Sequence, residues 1–316
     1  MKKLKALLLT EGMHGMISQV EGMAKALNVE YEHKTVKLNF PWNLVPPKFT
    51  PVSQIILKNK IHLNSNEETA DLVISCGRKS VIPSIFLKKQ NSKIFTIHIQ
   101  DPKVNFKNFD AIVAPEHDNL KGDNVYSSKG AIHYITEEEI SKAKQYLFEK
   151  IKSEKTVSLI LGGPNKYYSF DSDQIINIFN QIKSIFVSKG YKVIVIPSMR
   201  TPKEIIDLAI KEMGSCGYVV NKVDKQAYLS AYALANYVIV TCDSTSMISE
   251  AATSGKPIFV AHIKAKKNNY RFKRFFELFK QMGITRDLGE KVETWTYNKH
   301  NEAQRIALEL KNKIEN

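Results

Sequence analysis

The sequence predicts an α/β fold made of two Rossmann-like domains, and three observations predict it. Short, mainly apolar runs, such as those at 4–9, 157–161 and 258–261, read as strands buried on both faces, the mark of a parallel sheet. Stretches of helical period alternate with these runs nearly throughout, as βαβ units require. At 316 residues the chain is long enough for about two ordinary domains, each with its own core. The expected arrangement is two such domains facing a central cleft, with a C-terminal helix packing back.

In the first half, strands are expected at 4–9, 72–75, 94–97 and 111–114, with helices at 17–27 and 81–88. The Pro-rich stretch 40–51 reads as a loop. A long charged helix is expected at 137–150, and just after it a fresh strand, Gly loop and helix begin. The boundary is therefore placed there, giving domains 1–153 and 154–316. In the second half, strands are expected at 157–161, 192–196, 218–220, 237–240 and 258–261. Helices are expected at 175–188, 202–213, 226–235, 245–254, 270–282 and 301–314. The opening apolar run stops at Thr10-Glu11-Gly12, too short for a signal peptide. Nowhere do about 18 apolar residues follow one another, so no transmembrane helix is expected.

Hydrophobic residues at 43% and charged residues at 25% exclude a disordered chain, a collagen-like fibre and a disulfide scaffold. Cys76, Cys216 and Cys242 are far apart in sequence and form no CxxC pair, which suits a reducing compartment and a cytoplasmic location. The formal net charge is +14. Part of it gathers in one segment, where Lys264, Lys266, Lys267, Arg271, Lys273, Arg274 and Lys280 stand against Glu277 alone. Such a patch implies an anionic partner. Phe272, Phe275, Phe276 and Phe279 follow the spacing of one helical face in the same segment. Either that face is core with its cations in solvent, or Arg271, Lys273 and Arg274 present a basic surface to an anionic membrane. No motif supports nucleic-acid binding.

The densest motif is Thr241-Cys242-Asp243-Ser244-Thr245-Ser246, which leads from a buried strand into a small-residue helix carrying Glu250 and ending at Gly255. Asp243 or Ser244 can cap that helix, leaving free N–H groups and the positive dipole end at the strand tips. That end, with Ser246, suits a pyrophosphate. Glu250, about two turns in, can accept hydrogen bonds from sugar hydroxyls, or it is simply a solvated Glu on a core helix. Gly162 and Gly163 follow another strand, where the backbone can approach a ligand or merely turn. The pattern is neither GxGxxG nor GxxxxGK[ST]. Ser198 and Arg200 follow the next strand, and the Arg fork matches phosphate oxygens or lies on the surface before a Pro-initiated helix.

Asp171-Ser172-Asp173 has the look of a metal-binding DxD but stands where a helix begins, so capping is the expectation. In the first half, Gly12 and Gly15 bracket a loop with His14 between them and Gln19 beyond, and Arg78 and Asp101 likewise follow strands. Pro115-Glu116-His117-Asp118 gathers titratable groups after a strand, as a general-base site or a solvated loop does. The eight histidines give no metal-ligand spacing, and no metal or cofactor is expected.

In this order, several motifs resemble the mitochondrial-fission elongated-mitochondria family over residues 7–286. They are the Gly12–Gly15–Gln19 loop, Gly77-Arg78, Gln100-Asp101-Pro102, Pro115-Glu116-His117-Asp118, Gly130-Ala131 and Gly162-Gly163-Pro164. Further along come Ser198 with Arg200-Thr201-Pro202, the Thr241 to Ala251 motif, Arg271-Phe272-Lys273-Arg274-Phe275, and Gly283 with Arg286. That family in turn looks like the two-domain GT-B glycosyltransferases. The resemblance implies a metal-independent transferase using a nucleotide-diphosphate sugar. Gly162, Gly163, Ser198, Arg200, Asp243, Ser244, Ser246 and Glu250 would lie on the donor side. Gly12, Gly15, Gln19, Arg78 and Asp101 would lie on the acceptor side, with Glu116, Asp118 or His14 as base. The alternatives it leaves are a non-enzymatic recruitment protein at a membrane and a nucleotide-sugar epimerase. A peripheral position at the inner membrane, with a lipid-linked acceptor, fits the basic segment.

Overall fold

The computed structural model describes residues 3–59, 70–289 and 291–314. The chain divides into two units, Met1–Tyr134 joined by Glu302–Asn316, and Ile135–Asn301. The first unit contains β1 (Lys5–Thr10), α1 (His14–Ala26), β2 (Glu30–Thr35), β3 (Leu72–Cys76), α2 (Val81–Gln90), β4 (Phe95–Ile99), β5 (Ala111–Pro115) and β6 (Val125–Ser128). The second begins with α3 (Glu137–Lys142), α4 (Gln145–Ile151), β7 (Thr156–Leu161), α5 (Ser172–Ile185), β8 (Lys192–Pro197), α6 (Lys203–Met213) and β9 (Gly217–Val219). It continues with α7 (Lys225–Leu234), β10 (Tyr237–Thr241), α8 (Thr245–Ala252), β11 (Ile258–Ala261), α9 (Tyr270–Gln281) and β12 (Thr285–Asp287). The final helix, α10 (Glu302–Ile314), belongs to the first unit.

Each unit is built on one six-stranded parallel sheet, ordered β2-β1-β3-β4-β5-β6 in the first and β12-β11-β10-β7-β8-β9 in the second. Counted within its own unit, the second sheet has the doubly wound Rossmann order, whose direction reverses between β7 and β10. In the first sheet the reversal falls between β1 and β3. Because successive side chains of a strand point to opposite faces, an apolar run feeds two cores. Ala6 and Leu8 join one cluster with Val20, Met23 and Ala24 of α1. Leu7 and Leu9 join another with Val81, Ile82 and Ile85 of α2.

The division of the chain differs from the sequence-based boundary at both ends. Residues 135–153 were expected with the first domain, but α3 and α4 pack on α7. There Ser230 Oγ donates to the Lys144 carbonyl (3.0 Å) and accepts from Leu147 N (3.0 Å), and the Tyr146 hydroxyl donates to Asp224 (2.6 Å). The Ser230 contact falls between the two segments, so the single helix expected at 137–150 is two. Conversely, α10 was assigned to the second domain, yet Ala303, Ile306, Ala307 and Leu310 complete the α1 side of the first core. The buried Glu302 carboxylate accepts Lys129 N at 2.8 Å, and Arg305 bridges Glu302 to the Ser127 carbonyl. Among the described residues, no helix is long and apolar enough to cross a membrane.

A candidate nucleotide site at the switch point of the second sheet

In doubly wound sheets, ligands sit beyond the carboxyl ends of the strands where the strand order reverses. In the second unit that place is formed by the loop after β7, with Gly162 and Gly163, and by the start of α8 after β10. Ser244 is the residue that caps α8, accepting a hydrogen bond from Met247 N at 3.4 Å. Asp243 does something else. Its buried carboxylate accepts Gly163 N (3.0 Å) through Oδ2 and the Thr241 hydroxyl (2.7 Å) through Oδ1, while its own carbonyl accepts from the Asn165 amide (2.9 Å). A Cβ on Gly162 would lie 2.1 Å from that carboxylate, and one on Gly163 would lie 1.9 Å from the Arg200 carbonyl oxygen. The two glycines are therefore required by close packing.

Arg200, expected to face phosphate, has both terminal nitrogens in use. Nη2 donates to Asp243 at 2.7 Å, and Nη1 donates to the Gly163 carbonyl at 2.5 Å. Ser198 and Thr201 complete the same knot, with Ser198 N donating to Thr201 Oγ1 (2.8 Å) and that hydroxyl donating to the Gly162 carbonyl (2.5 Å). Four of the sequence-expected residues (Gly162, Gly163, Arg200 and Asp243) are thus bonded into one loop cluster. Ser198 is tied to it through Thr201, and Ser244 adjoins it in sequence. Ser246 is half-buried on the first turn of α8.

Glu250 lies half-buried on the second turn of α8. Burial pushes its carboxyl up to about 7, against a partial pull downward from the Tyr228 hydroxyl, which donates to Oε2 at 2.5 Å. Tyr232 in turn donates to the Tyr228 oxygen at 2.6 Å. Desolvation first, and then the Glu250 charge, raise both phenols well above their ordinary range, so they remain donors. The second oxygen of Glu250 has no hydrogen-bond partner among the described residues. Tyr232 escaped sequence reasoning because an i, i+4 Tyr pair on a helix reads equally well as core. Asp171 stands immediately before α5, but its carboxylate accepts from the side chains of Ser169 (2.6 Å) and Gln174 (2.8 Å) rather than capping the backbone.

In the first unit, three of the expected residues, Gln19, Arg78 and Asp101, are tied into local hydrogen bonds. Arg78 holds the loop before it, donating to the carbonyls of Asn43 (2.5 Å) and Val45 (2.9 Å). Asp101 closes its own turn by accepting Lys103 N at 2.9 Å and pairs with the Lys103 ammonium. Gln19 accepts from Gln100 (3.4 Å) and from the buried Cys76 thiol (3.5 Å), whose ionisation burial suppresses. His14 opens α1, exposed, with its ring edge toward Tyr134 at 6.2 Å. Gly12 takes a positive φ of 87° in the preceding turn, and Gly15 has open space around it.

Glu116 and Asp118 lie on a single 3-10 turn after β5, with Glu116 exposed. A residue that sequence reasoning passed over is Glu11. Its carboxylate accepts Lys79 N (3.1 Å) and pairs with the Lys79 ammonium (3.1 Å), joining the loops after β1 and β3. His98, buried against the Ser75 hydroxyl at 2.9 Å, is held neutral by desolvation, down to about 3. Among the described residues, no cluster of three or more His, Cys, Asp or Glu side chains is placed to hold a metal ion.

The later part of the basic segment, from Tyr270 on, forms α9, and its aromatic face turns inward. Phe275 and Phe279 are fully buried and stacked at 4.2 Å, and Phe272 packs edge-on against Tyr167 and Tyr168. Arg271, Lys273 and Arg274 lie on the exposed side.

Comparison with known proteins agrees with this architecture. An uncharacterized protein of Rickettsia prowazekii is 26% identical, covering 93% of this chain and 94% of the relative. The mitochondrial fission protein ELM1 of Arabidopsis thaliana is 24% identical over 77% of this chain, which spans only 64% of that protein's length. Among solved structures, a UDP-GlcNAc 2-epimerase from Neisseria meningitidis bound to UDP-GlcNAc superposes with a TM-score of 0.51 at 12% identity, covering 99% of this chain and all of the other. A glycosyl transferase family 9 protein from Veillonella parvula superposes with a TM-score of 0.50 at 11% identity, covering 99% and 98%. These likenesses give the fold, two Rossmann-like units of GT-B type. The family model for mitochondrial fission ELM1 matches residues 14–314, and the chain belongs to that family.

Proposed function

We propose that this protein binds a nucleotide-diphosphate sugar in its second unit and transfers the sugar without a metal ion, as a GT-B-type glycosyltransferase. The observation that carries the reading is the coincidence, at the switch point of the second sheet, of a glycine loop with a Ser-capped helix start and a carboxyl two turns on. The diphosphate would lie against the N–H groups of α8 near Ser244 and Ser246, where the helix dipole favours negative charge and offsets the charge that develops on the leaving group. The unpaired oxygen of Glu250 is available to accept ribose hydroxyls. Arg200 serves as a positioning residue, fixing Gly163 and Asp243 for the ligand's approach. His14, Glu116 and Asp118 are the candidates for taking a proton from the acceptor.

Epimerisation of the same class of donor is the second reading, favoured by the likeness to the Neisseria epimerase. Titration calorimetry with uridine, guanosine and cytidine diphosphates tests the site that both readings share. One nucleotide should bind at a single site and lose affinity by about tenfold or more in Glu250→Ala, the effect of removing a charge-assisted hydrogen bond. Absence of binding by every nucleoside diphosphate would sink both readings. With the sugar nucleotide so identified, the appearance of a C2 epimer without an acceptor would decide for epimerisation over transfer.

A further inference from the structure

A cavity lies in the same unit, apart from the loop cluster of Gly162, Gly163 and Asp243. It has a volume of about 450 Å³, within the range of small-molecule pockets, and is walled by α3, the end of α7, the end of α8 and the segments carrying Lys256 and Lys299. Three lysines line it, Lys144, Lys256 and Lys299. The acidic side chains on its wall are Glu137 and Glu138. Glu137 pairs with Lys299, and Glu138 pairs with Lys142 on its own helix at 2.6 Å. Lys144 and Lys256 have no carboxylate within ion-pair distance among the described residues.

The arrangement is built rather than incidental. Gly255 takes a positive φ of 70°, which turns the chain so that Lys256 enters the cavity half-buried. The Lys299 stem lies across Gly255, with its Cγ at 3.0 Å from where a Cβ would be. The Lys256 backbone is held on both sides, by Ser254 Oγ at 3.2 Å and by the Tyr297 hydroxyl at 2.8 Å. Burial, and then the charges of Lys144 and Lys299, depress the ionisation of Lys256. A fold gains nothing from holding mutually repelling ammonium groups around a cavity, whereas a polyvalent anion bridging them would remove the repulsion.

We infer that this cavity is a binding site for a small organic phosphate, with the phosphoryl group seated between the ammonium groups of Lys144 and Lys256. Lysine is a point-charge phosphate ligand and needs no planar fork geometry. Exposed hydroxyls of the ligand would face Ser141, Thr253 and the Glu138 carboxylate on the same wall. Tyr232 also lines the cavity and is the residue whose hydroxyl supports Tyr228 and, through it, Glu250. The cavity and the candidate nucleotide site therefore share one wall, yet they have no charged residue in common.

The test uses the full chain and two probes, inorganic phosphate and glycerol 3-phosphate, followed by calorimetry and by phosphorus NMR line width. Wild type should bind glycerol 3-phosphate at one site. The double substitution Lys144→Gln with Lys256→Gln should weaken that binding by about tenfold or more, and Lys273→Gln with Arg274→Gln on α9 should leave it unchanged. The folding control is itself informative. Without ligand, Lys256→Gln should melt at the wild-type temperature or about 1–2 °C above it, because a repulsion has been removed. Added glycerol 3-phosphate should raise the melting temperature of wild type but not of the double variant.

Three results would overturn the inference: no saturable binding of either probe, binding that survives the Lys144 and Lys256 substitutions, or binding abolished by the α9 substitutions instead. Co-sedimentation with phosphatidic acid vesicles that depends on Lys144 and Lys256, with no binding of the soluble probes, would overturn it in favour of a lipid headgroup.

Discussion

Glu250 is a carboxyl that the fold keeps partly protonated at neutral pH, and this has a stability consequence whose sign can be worked out. Its ionisation is raised from 4.5 to about 7 by burial, so between those values the folded chain binds more protons than the unfolded chain. The contribution of Glu250 to stability therefore falls as pH rises through that window and is lowest above about 7. The gap corresponds to roughly 3 kcal/mol, an upper figure for a half-buried group. Glu250→Gln keeps an acceptor for the Tyr228 hydroxyl and removes the buried charge. Thermal unfolding at pH 8 should show this variant more stable than wild type by about 1–3 kcal/mol, with the difference disappearing near pH 4. At this scale the sequence was only partly legible. A helix cap followed by a carboxyl two turns later is a local pattern and could be seen. That Asp243 would turn back to hold Gly163, and so occupy Arg200, depends on contacts some 40 and 80 residues apart in the chain, which no spacing rule encodes.

The helices and central strands were legible because each carries its own periodicity, whereas three edge strands were not. β2, with sequence EYEHKT, is mostly exposed and polar, as an unpaired edge must be to avoid pairing with other chains. β6 and the three-residue β12 likewise carry too little apolar pattern to be read alone. α9 shows the opposite case, in which the pattern was visible but its direction was open. Its aromatic stripe faces the core, so Phe279→Ala should lower stability by about 3–5 kcal/mol in urea denaturation. Lys273→Gln, on the exposed side, should stay within about 0.5 kcal/mol. Equal losses from the two substitutions would mean that the helix faces the other way.

Across the whole chain, a boundary read from the restart of the strand–loop–helix pattern and one set by packing differ by about one helix pair at one end and one helix at the other. The charged stretch was read as a helix closing the first domain, while the contacts that hold it to α7, through Ser230 and Asp224, lie some 80 residues on in the chain. The difference can be measured with fragments. Residues 135–301 form a contiguous unit with its own sheet and should unfold cooperatively on heating, followed by circular dichroism. Residues 154–316 lack the partners of α7 and carry α10 away from its core, and should show a broad, weak transition with exposed apolar surface.

The discontinuity of the first unit also sets an order of events during synthesis. All six strands of its sheet leave the ribosome early, but the helix that covers the α1 side of its core is encoded only after the whole second unit. At bacterial to eukaryotic elongation rates of about 5–20 residues per second, the intervening unit delays that helix by roughly 10–30 s. The unit that starts first therefore finishes second. During the interval the apolar surface that Ala303, Ile306, Ala307 and Leu310 come to cover stays open at the crowded exit of the ribosome. A message broken within the codons for α10 would release a completed second unit tethered to an unfinished first one.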